Sequence, residues 1–273
     1  MASPLLILFT CSIAMGCIAT LIVVVAVSVD SWEYSSYHGS TLRSINQSQS
    51  CSKLPETKDC TEVEQLSVDP PLFRFNEYYR QGSQRGTNDS TLLYSTSSGL
   101  WRTCDDLTDS LRSEYVNAAE TNYNGQRCFV FVTDYNEESS LLKEGSKQIA
   151  RLQNSAASCY IVVLIDLTSA AVVGIIGIGR KQVASCMVTG VLYLMAALFG
   201  VFGLSMFHTK DYYEKFQCYA LDEIPEQACY ARVVEIGFAV PMAWVGVVAC
   251  ALACAIWLCV SRALRVIKAK TML

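Results

Sequence analysis

Histidine is almost missing from this chain of 273 residues: there are two, His38 and His208, and neither stands beside a metal-ligand set or a nucleophile. That scarcity removes the commonest routes to zinc chemistry and to base-activated nucleophiles, so no enzymatic activity, metal or cofactor is expected. Charge is scarce as well, with Asp, Glu, Lys and Arg at 17% of residues against 52% hydrophobic, and a formal net charge of −4. Where charge does collect, between positions 30 and 157, 18 Asp and Glu face 12 Lys and Arg. An acidic balance of that kind argues against a nucleic acid partner. The glycine-rich run Gly174–Gly179 lies inside an apolar stretch and is no phosphate-binding loop.

What the chain has in quantity is long apolar sequence. Four runs, at 5–29, 159–179, 183–207 and 236–260, are nearly free of charge. About 20 helical residues at 1.5 Å each cover the roughly 30 Å hydrocarbon core of a bilayer, whereas a soluble helix rarely stays apolar on every face for that length. The first run lacks the basic flank of a signal peptide and exceeds its apolar length, so it reads as a retained span. Arg180 and Lys181 lie between runs two and three, and Arg262, Arg265, Lys268 and Lys270 follow run four. Basic residues next to a membrane favour the cytosolic side, which places this turn and both termini inside.

The expected organisation is therefore transmembrane helices at 5–29, 158–179, 183–207 and 233–260, joined by an extracellular loop at 30–157, a cytosolic turn at 180–182 and a second extracellular loop at 208–232. A cytosolic tail follows at 261–273. The fold class is an all-α transmembrane four-helix bundle carrying a small extracellular antiparallel β-sheet domain. Leu72–Phe75, Thr91–Thr96 and Cys128–Thr133 are the strand-like segments, while Asn46–Pro71 reads as an irregular excursion. Leu107–Glu120 and Glu138–Ala157 shift to helical spacing.

The long loop holds Cys51, Cys60, Cys104 and Cys128, and the short one Cys218 and Cys229. An even set in an oxidising compartment reads as a disulfide framework, with pairing inside each loop the simplest of the connectivities. Two glycosylation sequons, at Asn46 and Asn88, fall in the same long loop. The seven remaining cysteines lie in or at the ends of apolar runs and read as small packing residues. Trp32, just past the first run, has the place of an interfacial anchor. Asp166 is the one carboxylate well inside an apolar run; pairing, with Arg232 as one partner, is the expectation there, ahead of a contact with another subunit. Pro241 is expected to kink the fourth helix.

Trp32 followed by Gly99-Leu100-Trp101-Arg102-Thr103-Cys104, in a four-span chain with a large first loop, resembles the claudin superfamily: claudins, peripheral myelin and epithelial membrane proteins, claudin-domain-containing proteins and channel gamma subunits. The resemblance implies a disulfide between Cys104 and Cys128, and motif residues Trp32, Gly99, Leu100 and Trp101 that build the domain without touching a substrate. Here 23 residues separate the two cysteines, wider than in claudins themselves, and the second loop has cysteines that claudins normally lack. These departures lean toward the gamma-subunit or claudin-domain-containing branches.

The function this implies is that of a non-enzymatic accessory subunit, modulating assembly, trafficking or gating of a larger channel or receptor at the plasma membrane. The alternative is claudin-like cell-cell adhesion or a paracellular barrier at cell junctions, with homotypic or claudin-like partners. The ending Lys270-Thr271-Met272-Leu273 has the hydroxyl and the apolar terminal residue, Thr271 and Leu273, that a PDZ scaffold captures by strand addition. Membrane lipid is the remaining partner, met by the basic stretch before that ending.

Overall fold

A computed structural model describes residues 4–49, 60–81, 84–117, 125–131, 144–220 and 224–271. In chain order its elements are α1 (Pro4–Ser28), β1 (Glu33–Tyr37), α2 (Gly39–Gln49), β2 (Cys60–Val68), β3 (Pro71–Gln81), β4 (Gln84–Tyr94), β5 (Thr96–Ser98), β6 (Arg102–Asp105), α3 (Asp109–Asn117), β7 (Cys128–Val130), α4 (Glu144–Arg180), α5 (Val183–Phe216), β8 (Arg232–Ile236) and α6 (Ala239–Thr271). The chain divides into two compact units.

The first unit comprises Met1–Val29, Gln153–His208 and Phe238–Leu273. Its helices α1, α4, α5 and α6 are long and apolar enough to cross a membrane. Small residues set the packing: Ala19 and Ala26 of α1, and Ala243, Cys250, Ala253 and Cys254 of α6, are buried. Gly174 lies under Trp257, so near that an added Cβ would stand 3.1 Å from the ring. Large apolar side chains such as Leu21, Ile165, Ile175 and Val245 stay exposed, the surface that lipid covers. α4, with 37 residues, is about 55 Å long at 1.5 Å per residue and exceeds the thickness of the hydrocarbon core. It ends where Lys181 takes φ 47°, with Lys181 N–H donating to Ile178 O and Gln182 N–H to Gly177 O. That pairing satisfies the last carbonyls and frees the chain to reverse into α5.

Pro241 falls in the first turn of α6, where no intrahelical N–H is needed, so the expected kink gives way to a helix start. Asp166 is half-buried, and its Oδ2 has no hydrogen-bond partner among the described residues. Arg232, considered above for it, instead donates to Ser35 Oγ and Tyr219 O.

The second unit comprises Asp30–Leu152 and Thr209–Gly237. It contains a five-stranded sheet in the order β7-β6-β5-β1-β8 and a three-stranded sheet in the order β2-β3-β4, with every pairing antiparallel. The three-stranded meander has a core cluster on each face, with Glu62, Glu64 and Gln65 of its edge strand β2 left exposed. Phe73, Phe75 and Leu93 pack with Leu42 of α2, Ala228 and Ala231, while Leu72 and Leu92 pack with Leu107 on the other side. Adjacent residues of β3 thus serve opposite cores, as the two-residue period of a strand requires.

Three parts of this unit differ from the sequence expectation. The stretch read as irregular, Asn46–Pro71, holds the end of α2 and all of β2, and Leu42 and Ile45 of α2, just before it, share a face toward the core. The second loop is largely ordered: α5 continues to Phe216, and a short 3-10 turn covers Ala228–Ala231. Arg232–Ile236, assigned in part to the fourth span, forms β8 and pairs with β1 in the five-stranded sheet. Its Val233, Val234 and Ile236 are apolar enough to extend a hydropathy run, yet Gly237 separates them from α6.

Candidate functional site

The motif residues cluster in the five-stranded sheet. Gly99-Leu100-Trp101-Arg102 is the reversal between β5 and β6: Ser98 pairs with Thr103, and Gly99 N–H donates to Arg102 O at 2.8 Å, leaving Leu100 and Trp101 as the two turn residues. Leu100 is fully buried. Trp101 O accepts from Phe131 N–H. Glycine is required at 99 because a Cβ there would collide with Asp30 Oδ1 and lie 3.0 Å from Asp30 Cα. Asp30 is held in place by Arg102, whose Nε and Nη2 donate to Asp30 Oδ2 at 2.8 and 2.6 Å.

Trp32 is fully buried, not exposed as an interfacial anchor would be. Its backbone joins two neighbours, Trp32 N–H donating to Ser98 O and Gly237 N–H donating to Trp32 O. A side chain at Gly237 would overlap Ser31 O, which explains the glycine after β8.

Cys104 and Cys128 stand opposite one another on β6 and β7 and are joined by a disulfide. Cys218 and Cys229 form a second, between the end of α5 and the 3-10 turn. Cys60 opens β2, buried and disulfide-bonded; Cys51 lies outside the described residues. Asn46 Nδ2 donates to Val63 O at 3.2 Å and its Oδ1 faces Val63 N–H, so that amide is already used. Asn88 is the extra residue where the β3–β4 register shifts, between the pairs Glu77–Asp89 and Tyr78–Thr87. Thr271 ends α6; Leu273 lies outside the described residues. His38 contributes backbone hydrogen bonds, and His208 Nε2 accepts from Trp244 Nε1.

A buried ionic group went unread in the sequence. Glu33, Lys210 and Glu214 are 3%, 1% and 5% exposed, with Lys210 Nζ 3.0 Å from Glu33 Oε2 and 3.5 Å from Glu214 Oε1. Burial and then the charge of Glu33 push the Glu214 carboxyl well above its ordinary range. Burial acts the same way on Glu33, but Lys210 and the hydrogen bond with Glu214 outweigh it and hold that carboxyl below the ordinary value. Lys210 thus favours the charged form of Glu33, while burial and Glu33 disfavour that of Glu214. Beside them, a cavity of about 140 Å³ is lined by Glu33, Ser98, Thr103, Lys210, Glu214 and Arg232. The only local hint was the four-residue spacing of Lys210 and Glu214 just past the third apolar run, because Glu33 lies 177 positions away.

No group of three or more His, Cys, Asp and Glu placed to hold a metal occurs among the described residues. The arrangement is one of reversal, disulfide and buried pair. Comparison with known proteins agrees with that architecture. No curated protein matches the chain. The family model described as PMP-22/EMP/MP20/Claudin tight junction matches residues 17–259, which takes in the second half of α1, all of α4 and α5, most of α6 and both parts of the sheet unit. This chain is a non-enzymatic, four-span membrane protein belonging to the PMP-22/EMP/MP20/claudin family.

Proposed function

We propose that the chain is an accessory subunit, gamma-like in role, that associates with a larger channel or receptor in the plasma membrane and tunes its assembly, trafficking or gating. The observation that carries this reading is the insertion between β1 and β5. Those two strands pair directly, so the motif sheet would close without residues 38–95. Those residues nevertheless build α2 and a second sheet with cores on both faces. An elaboration of that kind supplies surface for a partner's own domain, and Val68, 79% exposed at the end of edge strand β2, is an apolar contact within it.

In this reading the sheet unit is extracellular and both termini are cytosolic. Support comes from Arg180, Lys181, Arg262, Arg265, Lys268 and Lys270 at the ends of α4 and α6, and from disulfides in the sheet unit alone among the described residues. Adhesion or barrier formation is the second reading, favoured by the tight-junction wording of the family description. Purification from cells in mild detergent separates them. A larger channel or receptor recovered in fixed stoichiometry supports the accessory role; self-associated strands enriched at cell contacts support adhesion.

A further inference from the structure

Within the helical unit, the first turns of α5 and the last turns of α6 enclose an open groove of about 510 Å³. Val183, Ala184, Met187, Val188, Val191 and Leu192 form its walls, and Arg265 is its one charged residue. Arg265 makes no ion pair among the described residues; its Nη2 reaches Met187 Sδ at 3.5 Å. A thioether is a weak acceptor and leaves the guanidinium free to take a better one. The groove also begins at Val183, the first residue of a helix of 34 residues, where unpaired N–H groups and the positive end of the helix dipole add to the same field.

We propose that this groove holds one anionic glycerophospholipid, its acyl chain along Val183–Leu192 and its headgroup phosphate and acid against Arg265. An apolar trough with a cation in its lining matches the two halves of such a lipid, and the planar guanidinium suits a bidentate phosphate or carboxylate. A zwitterionic lipid fills the same trough but brings no net negative charge to Arg265. Anionic lipid is therefore selected, and the site needs only that the four helices lie in a bilayer, whichever face is cytosolic. Loss of one basic contact with an anionic lipid corresponds to about a fivefold change in occupancy.

The test uses the full chain in nanodiscs made of phosphatidylcholine with trace photoactivatable phosphatidylserine or photoactivatable phosphatidylcholine, the label sitting on the acyl chain. Labelled peptides are then mapped. The expected result is labelling of 183–192 that is about fivefold stronger with the serine lipid, falls to parity in Arg265→Gln, and is kept in Arg262→Gln, which removes a neighbouring charge outside the groove lining. Ala184→Phe, which fills the trough, should reduce labelling by both lipids there. Equal labelling by the two lipids in the unaltered protein would overturn the proposal. So would a loss in Arg262→Gln as large as that in Arg265→Gln, since general surface charge would then be the cause, or unchanged labelling in Ala184→Phe.

Discussion

Glu33 and Glu214 both face Lys210 and respond to pH in opposite directions. Glu214, past the apolar run that ends at Phe207, has its carboxyl raised in the folded state by burial and by Glu33. A raised carboxyl contributes stability that is complete below the unfolded value and is lost as pH rises through the folded one. Glu33, lowered by Lys210 against its burial, contributes the reverse, stability that is lost only as pH falls through its depressed value. Above the ordinary carboxyl range Glu214 is therefore the group that matters, and the sheet unit should lose melting temperature as pH rises. Glu214→Gln, which is neutral throughout, should flatten the slope and raise the melting temperature at the alkaline end. Lys210→Met should instead destabilise by about 3–5 kcal/mol at neutral pH, because it leaves Glu33 buried and uncompensated. Thermal melts of both variants at several pH values check the pair; a steep slope surviving in Glu214→Gln would remove Glu214 as its source.

Asparagine use can be decided at the same scale. Asn46 spends its amide on Val63 of β2, whereas Asn88 occupies the register shift of β4. Glycosidase treatment should lower the apparent mass of the wild-type chain and of Asn46→Gln, but leave Asn88→Gln unchanged. A mass shift lost in Asn46→Gln alone would mean that the Asn46–Val63 contact does not form before glycosylation.

Among the elements, β6 and β7 depend on the Cys104–Cys128 bond more than on their hydrogen bonds, since β7 has three residues and lies at the sheet edge. Closing a loop with a sequence separation of 24 is worth roughly 2–4 kcal/mol. Cys128→Ser should accordingly accumulate inside the secretory pathway, as read by surface biotinylation; full surface delivery would contradict a structural role. The tail makes a different demand. α6 stays helical through Thr271, and capture of Thr271 and Leu273 by a PDZ domain needs an extended strand. A free peptide of the last residues should bind such a domain with about micromolar affinity, as measured by fluorescence anisotropy, and lose that binding when one residue is appended. The full-length tail should bind more weakly than the peptide, by the work of unwinding its last turn. Equal affinity of the two would show that the helix end frays freely.

These elements also show what sequence could reveal. The four apolar runs are continuous and the Gly-Leu-Trp-x-x-Cys string is local, so both were legible. The meander was legible in part: Leu72–Phe75 and Thr91–Thr96 mark β3 and β4, but β2, with exposed Glu62, Glu64 and Gln65, is too polar to stand out as a strand. β8 merged into the fourth span since its β-branched residues are as apolar as a helix interior. The Glu33–Lys210 pair joins the two parts of the sheet unit across 177 positions, and only folding brings it together.

Taken as a whole, the chain couples a five-stranded sheet that closes on β1, β5, β6, β7 and β8 to a three-stranded meander that this closure does not need. An accessory role places that meander against a second, larger protein. The most direct measurement is site-specific photocrosslinking from the exposed face and end of β2, with a photoreactive residue in place of Glu64 or Val68 in the full chain expressed in cells. Crosslinks from both positions to one larger channel or receptor are the result an accessory subunit predicts. Crosslinks only to a second copy of the same chain, or none from either position in protein that reaches the surface, would contradict it.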